Sequence, residues 1–473
     1  MRGLWTLLIF AVMSCLSVPA SVQAADADPS APELFMPNPD QGSGFWDRIG
    51  PANAAVRKNS TKADVHRGVE GFAHARYCLS CHVGQDKNLH YARTDVQCKT
   101  CHISRPLAGI RNPAATMFSE HRAEKVCAEC HQGATLSMAE YVIHEPVPFA
   151  ASTRSAFPAL FWSAWAMVIL AVGVFAVFAP YVAAWAVREV RLILKPATQM
   201  PAPGPHIERF GLTERLFHTV LTICFMVLSV TGLAWMFIET GFGQFLAGLF
   251  GNYQGAIWAH RWVGLVLMCV FVLHLFYILH MARRQDPGGL TGPDSLVWKW
   301  ADFRAFWHHL KWLAGMAEHP AFDRWAWWQK FDYWAVWWGT LIVGVTGLVM
   351  FDPVLTSEYL PGWTLNVARW VHKIEALLAM AHIFIVHFFI ESYRPRAFPL
   401  NDHVFHGAAD LETLRHEHPE WIARLEADGR VDELIVEQPP RAVQAVYFLF
   451  GVAMVALGVF LLIGAAWNFS SLS

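Results

Sequence analysis

The sequence predicts an all-α membrane protein: six transmembrane helices preceded by a small, irregular segment on the outer side of the membrane. Three observations carry that prediction. The 473-residue chain is 55% hydrophobic and only 16% charged, too apolar for a soluble protein of this length. Six apolar runs are long enough to span a bilayer, at 159–186, 213–237, 256–281, 331–351, 368–391 and 443–467. Basic residues alternate from loop to loop. The loops 188–212, 282–330 and 392–441 hold four, seven and six Lys or Arg, and 238–255, 352–367 and the tail after 467 hold none. The positive-inside rule puts the first three loops in the cytoplasm. The C-terminus then returns to the side of the exported N-terminus.

The N-terminus supports export. Arg2 precedes an apolar stretch from Leu4 to Val12, and small residues lead to Val22-Gln23-Ala24. That pattern is a secretory signal peptide, residues 1–24. A lipoprotein reading at Cys15 is weaker, because Val12-Met13-Ser14 matches it poorly. The expected site is the bacterial inner membrane, with residues 25–150 in the periplasm. The remaining parts are an extra transmembrane helix over 155–190, a four-helix unit with cytoplasmic loops over 206–425, and a C-terminal transmembrane helix over 440–473. The tryptophans of 296–338 read as an interfacial belt on an amphipathic helix. A net charge of −2 gives no reason to expect a nucleic-acid partner. No dinucleotide or P-loop fingerprint stands at a strand–helix junction.

Six of the nine cysteines fall in three copies of one motif: Cys78-x-x-Cys81-His82, Cys98-x-x-Cys101-His102 and Cys127-x-x-Cys130-His131. Cys-x-x-Cys-His is the attachment signature of c-type haem. The two thiols bond to the haem vinyl groups, and the adjacent histidine reaches the iron from the proximal side. Zinc knuckles have no need of a histidine after every second cysteine, and a disulfide scaffold explains it no better. Three haems in so short a segment would form much of its core, which accounts for its weak apolar periodicity. His66, His74, His90, His121 and His144 are the candidate distal ligands. Met36, Met117 and Met138 are scarcer, and bis-histidine ligation implies low potentials relative to Met/His. Cys15, Cys224 and Cys269 sit in apolar runs and read as small hydrophobes.

The membrane part contains an internal repeat. "VTGLAWMF" (230–237) is echoed by "VTGLVMF" (345–351), and "WAHRWVGLVLMCVFVLHLF" (258–276) by "WVHKIEALLAMAHIFIVHFF" (370–389). Spans two and three thus resemble spans four and five, giving one four-helix unit with approximate two-fold symmetry. Ionisable residues inside spans are functional suspects by default. His260 and His274 are fourteen residues apart, and His372 and His387 fifteen. On a helix those spacings return within about 40° and 60° of the starting face, roughly 21 and 22 Å along the axis. Two such helices face to face can clamp two b-type haems, one above the other. His280 and His382 fall off those faces and read as interfacial or packing residues. Glu375, one turn past His372, is a weak candidate for accepting a quinol proton, with a local pair to Lys373 or Arg261 as the alternative.

His218 adds a further ligand candidate. The stretch "ERLFHTVLTICFMVLSVTGL" (214–233), a histidine early in the next span, and "LRHEHPEWIARL" (414–425) stand in an order that resembles the membrane cytochrome b subunit of formate dehydrogenases. The related b-type subunits of hydrogenases and thiosulfate reductases look similar. The likeness covers about 206–425. It implies His260 with His372 for the periplasmic haem and His218 with His387 for the cytoplasmic one. The internal repeat instead suggests His274 with His387, the other histidine lining a quinone pocket. The family spacing on the last haem helix is fourteen, one less than here. The chain also departs from the family by adding a span and a triheme c segment, an architecture that resembles fused c/b quinol dehydrogenases.

The expected function is electron transfer between the quinone pool and a periplasmic cytochrome or other redox protein, through two b haems and three covalent c haems. The alternative is an anchor subunit of a larger dehydrogenase or reductase, with further subunits, passing electrons to quinone.

Overall fold

The computed structural model describes residues 96, 98–101, 117–118, 120–194, 204–283, 289–395 and 397–472. The expected signal peptide, and Cys78, Cys81, His66, His74, His82, His90 and His102, lie outside the described residues. The chain is an all-α membrane protein. Six described helices are long and apolar enough to cross a membrane. They are α1 (Pro158–Ile193), α2 (Leu212–Met236), α3 (Tyr253–Ala282), α4 (Trp327–Phe351), α5 (Thr364–Ala381) and α6 (Arg441–Trp467). Helix α5 runs on through two π-helical stretches, His382–His387 and Phe389–Tyr393.

Several helix starts are set by local chemistry. The Glu214 carboxylate reaches back to the Gly211 N–H at 2.7 Å at the head of α2. Asn252 Oδ1 accepts the Gly255 N–H at 2.9 Å at the head of α3. Asp352 caps Val354 and Leu355, both at 3.0 Å, and Pro353 opens the short helix Pro353–Tyr359. Ile169, Val172, Leu449 and Ile463 are exposed. On membrane helices such side chains meet lipid tails, so these are not exposed patches in water.

The chain divides into two compact units. The first comprises Val172–Leu341 and Ala376–Ser473. In it, Met226, Val230 and Leu233 of α2, with Phe237 just past its end, pack with Met380, Phe384, Phe388 and Leu461. A second core corrects the aromatic-belt expectation. Trp300 and Trp307 are exposed, but Trp312, Trp327 and Trp328 are buried with Tyr181 and Trp185. Their rings surround His309, which is fully buried and takes the Tyr181 hydroxyl at Nδ1, 3.1 Å away. Lys330 and Asp302 close a buried ion pair at 2.9 Å that ties this loop to the start of α4. Indole rings wrapped around an imidazole leave no water to solvate a cation, and burial pushes His309 down to about 2.

The third core of this unit lies under a small antiparallel sheet. Strands β1 (His206–Glu208), β2 (Ala408–Asp410) and β3 (Ile435–Val436) are ordered β2-β1-β3. Ile207 packs with Leu414, Trp421 and Ile422 beneath it. Arg209, next in the chain, is buried with its guanidinium 4.9 Å from the Trp325 ring and 4.6 Å from that of Trp421. Nearby histidines go to separate partners: His403 stacks on Phe210, His406 bonds Asp402, and His418 bonds the Asp323 carbonyl.

The second unit holds Ile342–Glu375 and the described residues up to Ala171. Val142, Phe157 and Leu160 form its small core with Val367 and Trp370.

Candidate functional site

The "VTGL" echo makes the same contact twice. In the first unit Thr231 Oγ1 lies 2.8 Å from His260 Nδ1, and in the second Thr346 Oγ1 lies 3.0 Å from His372 Nδ1. Each hydroxyl donates its single proton to the backbone one turn earlier, Thr231 to Val227 at 2.8 Å and Thr346 to Ile342 at 2.6 Å. The hydroxyl must then accept from the imidazole Nδ1–H, which leaves the lone pair on Nε2. The glycine after each threonine lets the ring approach. A Cβ at Gly232 would stand 3.4 Å from His260 Cε1, and one at Gly347 would stand 3.5 Å from His372 Cε1. Alanine would touch the ring there, and a larger side chain would displace it.

His387 is held by the same nitrogen and a different acceptor. Asp332, near the start of α4, accepts from His387 Nδ1 through Oδ2 at 3.1 Å and from His382 Nε2 through Oδ1 at 2.8 Å. On an α-helix five residues turn through about 500°, which sets the two rings about 140° apart. The π turn takes an extra residue into the winding, and both rings reach one carboxylate. His382 is a buried packing residue against Phe178 and Phe331, and it also bonds the carboxylate that holds His387. The π turn also absorbs the one-residue excess between His372 and His387.

His218 and His274 share one property and differ in another. Both have a buried Nδ1 with no hydrogen-bond partner. His274 Nε2 is 3.1 Å from the Tyr333 hydroxyl, and Phe217, Tyr277 and Trp337 ring it. His218 stands beside Phe405. Glu375 is buried with Oε2 unpartnered, and Lys373 lies over the Trp370 ring, 4.9 Å from its centre.

Of the first two Cys-x-x-Cys-His motifs, only the backbone helix Cys98–Cys101 and the half-buried Cys101 are described. The third is complete. A 3₁₀ turn over Cys127–Glu129 runs on through His131, whose N–H bonds the Cys127 carbonyl at 2.8 Å. Cys127 and Cys130 are three apart on that turn, so their thiols share a face. They form no disulfide. Burial pushes the Cys127 thiol up, and Arg122 partly offsets this. His121 packs beside Phe118, and His144 is half-buried next to Glu145.

The chain after this motif is bolted to the head of α5. Asn366, fully buried, exchanges hydrogen bonds with the Val142 backbone at 3.0 and 2.9 Å. Glu145 receives Asn366 Nδ2 at 2.7 Å, Arg369 Nη2 at 2.6 Å and the Trp370 indole N–H. Thr135 meets Ser357 at 3.1 Å, and the Gly362 N–H bonds the Ser137 carbonyl at 3.0 Å. A Cβ on Gly362 would collide with that carbonyl. Arg369 is one turn before His372.

Comparison with known proteins bears on the same stretch. Residues 209–394 match the family described as prokaryotic cytochrome b561. These matches support a membrane cytochrome b. The cytochrome b556(fdo) subunit of formate dehydrogenase from Escherichia coli strain K12 is 22% identical over 180 residues, 38% of this chain and 75% of the relative. The subunits of that name from E. coli O6:H1 and O157:H7 give the same values. The matched stretch, 209–394, contains every membrane histidine discussed above, together with Asp332 and Glu375. None of these pairings was visible in the sequence beyond the histidines themselves. Asp332 is a carboxylate inside an apolar span, and the rule that flagged the histidines flags it too.

Proposed function

We propose that the protein carries electrons between the quinone pool and a periplasmic redox partner, as a quinol:cytochrome c type oxidoreductase of the bacterial inner membrane. The observation that carries this reading is the repeated Thr–His contact. It fixes His260 and His372 in the Nδ1–H tautomer, the form in which imidazole binds a metal through Nε2, each beside a glycine that makes room. His260 and His372 would hold one b haem, and His387 with His218 the other. His218 is preferred to His274 because the Nε2 of His274 already meets a tyrosine hydroxyl. When bound, the haems supply one-electron redox chemistry, and the protein supplies position and ligands.

The chain's own residues do the remaining work. Threonine and aspartate fix the imidazole tautomers, as outer-shell partners of metal-bound histidine do. Two places offer a hydrogen-bonding group to a quinone head: the His274–Tyr333 pair and the buried Glu375 carboxyl, which is suited to take a quinol proton. His82, His102 and His131 would be the proximal ligands of three c haems bound by Cys78/Cys81, Cys98/Cys101 and Cys127/Cys130. The distal ligands would come from His66, His74, His90, His121 and His144. The distribution of Lys and Arg supports a periplasmic N-terminal segment. The second reading, an anchor subunit of a larger complex that passes electrons to quinone, draws on the likeness to a formate dehydrogenase subunit.

A pyridine haemochrome spectrum of the purified protein tests the cofactor content. Three c to two b per chain is the expected ratio. Three c with no b would overturn the ligand roles of the membrane histidines. Copurification of a stoichiometric catalytic subunit would favour the second reading.

A further inference from the structure

We infer that Asp332 sets the two b sites to different reduction potentials, making the haem held by His387 the lower of the two. The inference rests on the b-haem reading above. It turns on which group accepts the Nδ1–H of each ligand. For His260 and His372 the acceptor is a neutral threonine hydroxyl. For His387 it is a carboxylate. A hydrogen bond to a carboxylate gives the imidazole partial imidazolate character and raises its basicity as a ligand. A more basic ligand favours ferric over ferrous iron and lowers the potential.

Asp332 keeps its charge close to the ring. Its side chain is 17% exposed, and its ion-pair contacts among the described residues are to His382 and His387, with no Lys or Arg within 4 Å. His382 anchors the second oxygen, so the carboxylate cannot swing away from His387. The π turn makes this possible, since an α-helical winding would carry His382 to another face. Asp332 is therefore a positioning and tuning residue, and electrons entering at the His387 site run downhill to the His260/His372 site.

The test is a spectroelectrochemical titration of the b-haem bands in the full-length protein, paired with electron paramagnetic resonance of the oxidised haems. Asp332→Asn keeps the shape and removes the charge. Its lower b potential should rise by at least about 59 mV, a tenfold change in the one-electron equilibrium. One ferric signal should shift with it, and the upper potential should stay fixed. Asp332→Glu should retain the wild-type split. Thr346→Val should leave the lower potential where it is. Unmoved potentials in Asp332→Asn, or movement of the upper one alone, would overturn the inference while two b haems remained bound. Should Asp332→Asn lose one haem, Asp332→Glu decides: a wild-type lower potential supports the inference and an Asn-like loss overturns it. Absence of b haem from the wild-type protein is instead the failure of the underlying reading.

Discussion

The repeat-related histidines and the His382–His387 turn hold their imidazoles by the same kind of bond and finish it with different chemistry. His260 and His372 each rest on a threonine from the preceding helix, next to a glycine, as the sequence echo demands. His387 breaks the echo, because its partner is a carboxylate shared with a second histidine five residues away. Duplication thus supplies two equivalent helical frames, and a single side chain in the next frame is enough to make the sites inequivalent. On the proposed reading, the symmetric part of the molecule would account for where the b haems sit, and the asymmetric part for a preferred direction.

The largest expected effect comes from removing a ligand. His372→Leu or His387→Leu should reduce the b-haem content from two to one and abolish reduction of external acceptors by quinol. A haemochrome spectrum with stopped-flow kinetics checks both. Unchanged haem content in either variant would break the comparison outright. Next comes the cradle. Thr346→Val should weaken haem retention at His372 about tenfold, the lower end for outer-shell partners of a metal-bound histidine. Gly347→Leu should do more by pushing the ring aside. Equal losses from Thr231→Val would sharpen the claim that the frames are equivalent. Glu145→Gln removes the negative charge from a nearly buried ion pair and should cost about 3 kcal/mol, read as a lower melting temperature in detergent. His274→Leu and Glu375→Gln separate the two quinone candidates. Whichever slows quinol oxidation while both b haems remain marks the site used.

The smallest effect is on pH. Burial holds His309 near 2, far below its unfolded value near 6.5. The folded state therefore resists a proton that the unfolded chain accepts. Stability is full above about pH 6.5 and falls as pH drops toward the folded value. His309→Gln should flatten that slope in melting curves taken between pH 7.5 and 5.

Much of this was legible in the sequence. The six spans begin and end within a few residues of the observed helices, except that α1 runs on to Ile193. Their apolar length is a bulk property that no tertiary contact can override. The histidines of the echo were legible for the same reason that the repeat was: they recur. The π winding was not. An α-helical period sets His382 about 140° from His387 and gives no sign that the two share one carboxylate. Asp332 lies near the edge of its span, where a charge suggests the membrane interface rather than a histidine partner. The Trp-rich loop looked like a belt because composition cannot tell an indole facing lipid from one packed on His309. The Glu145–Asn366–Arg369 cluster joins residues more than two hundred positions apart, and no local pattern announces it.

That cluster has a kinetic consequence. With Val142 and Glu145 fixed to the first turns of α5, and Ser137 to Gly362 just ahead of it, the Cys127–His131 turn is joined by a short stretch of chain to the helix that carries His372. Exchange between two redox centres carried there would be first order, with a rate independent of protein concentration and little affected by salt, as for any pair whose effective concentration is set by a short tether. A freely diffusing carrier would have to find the membrane protein anew for each electron. Here the search is over when the chain folds.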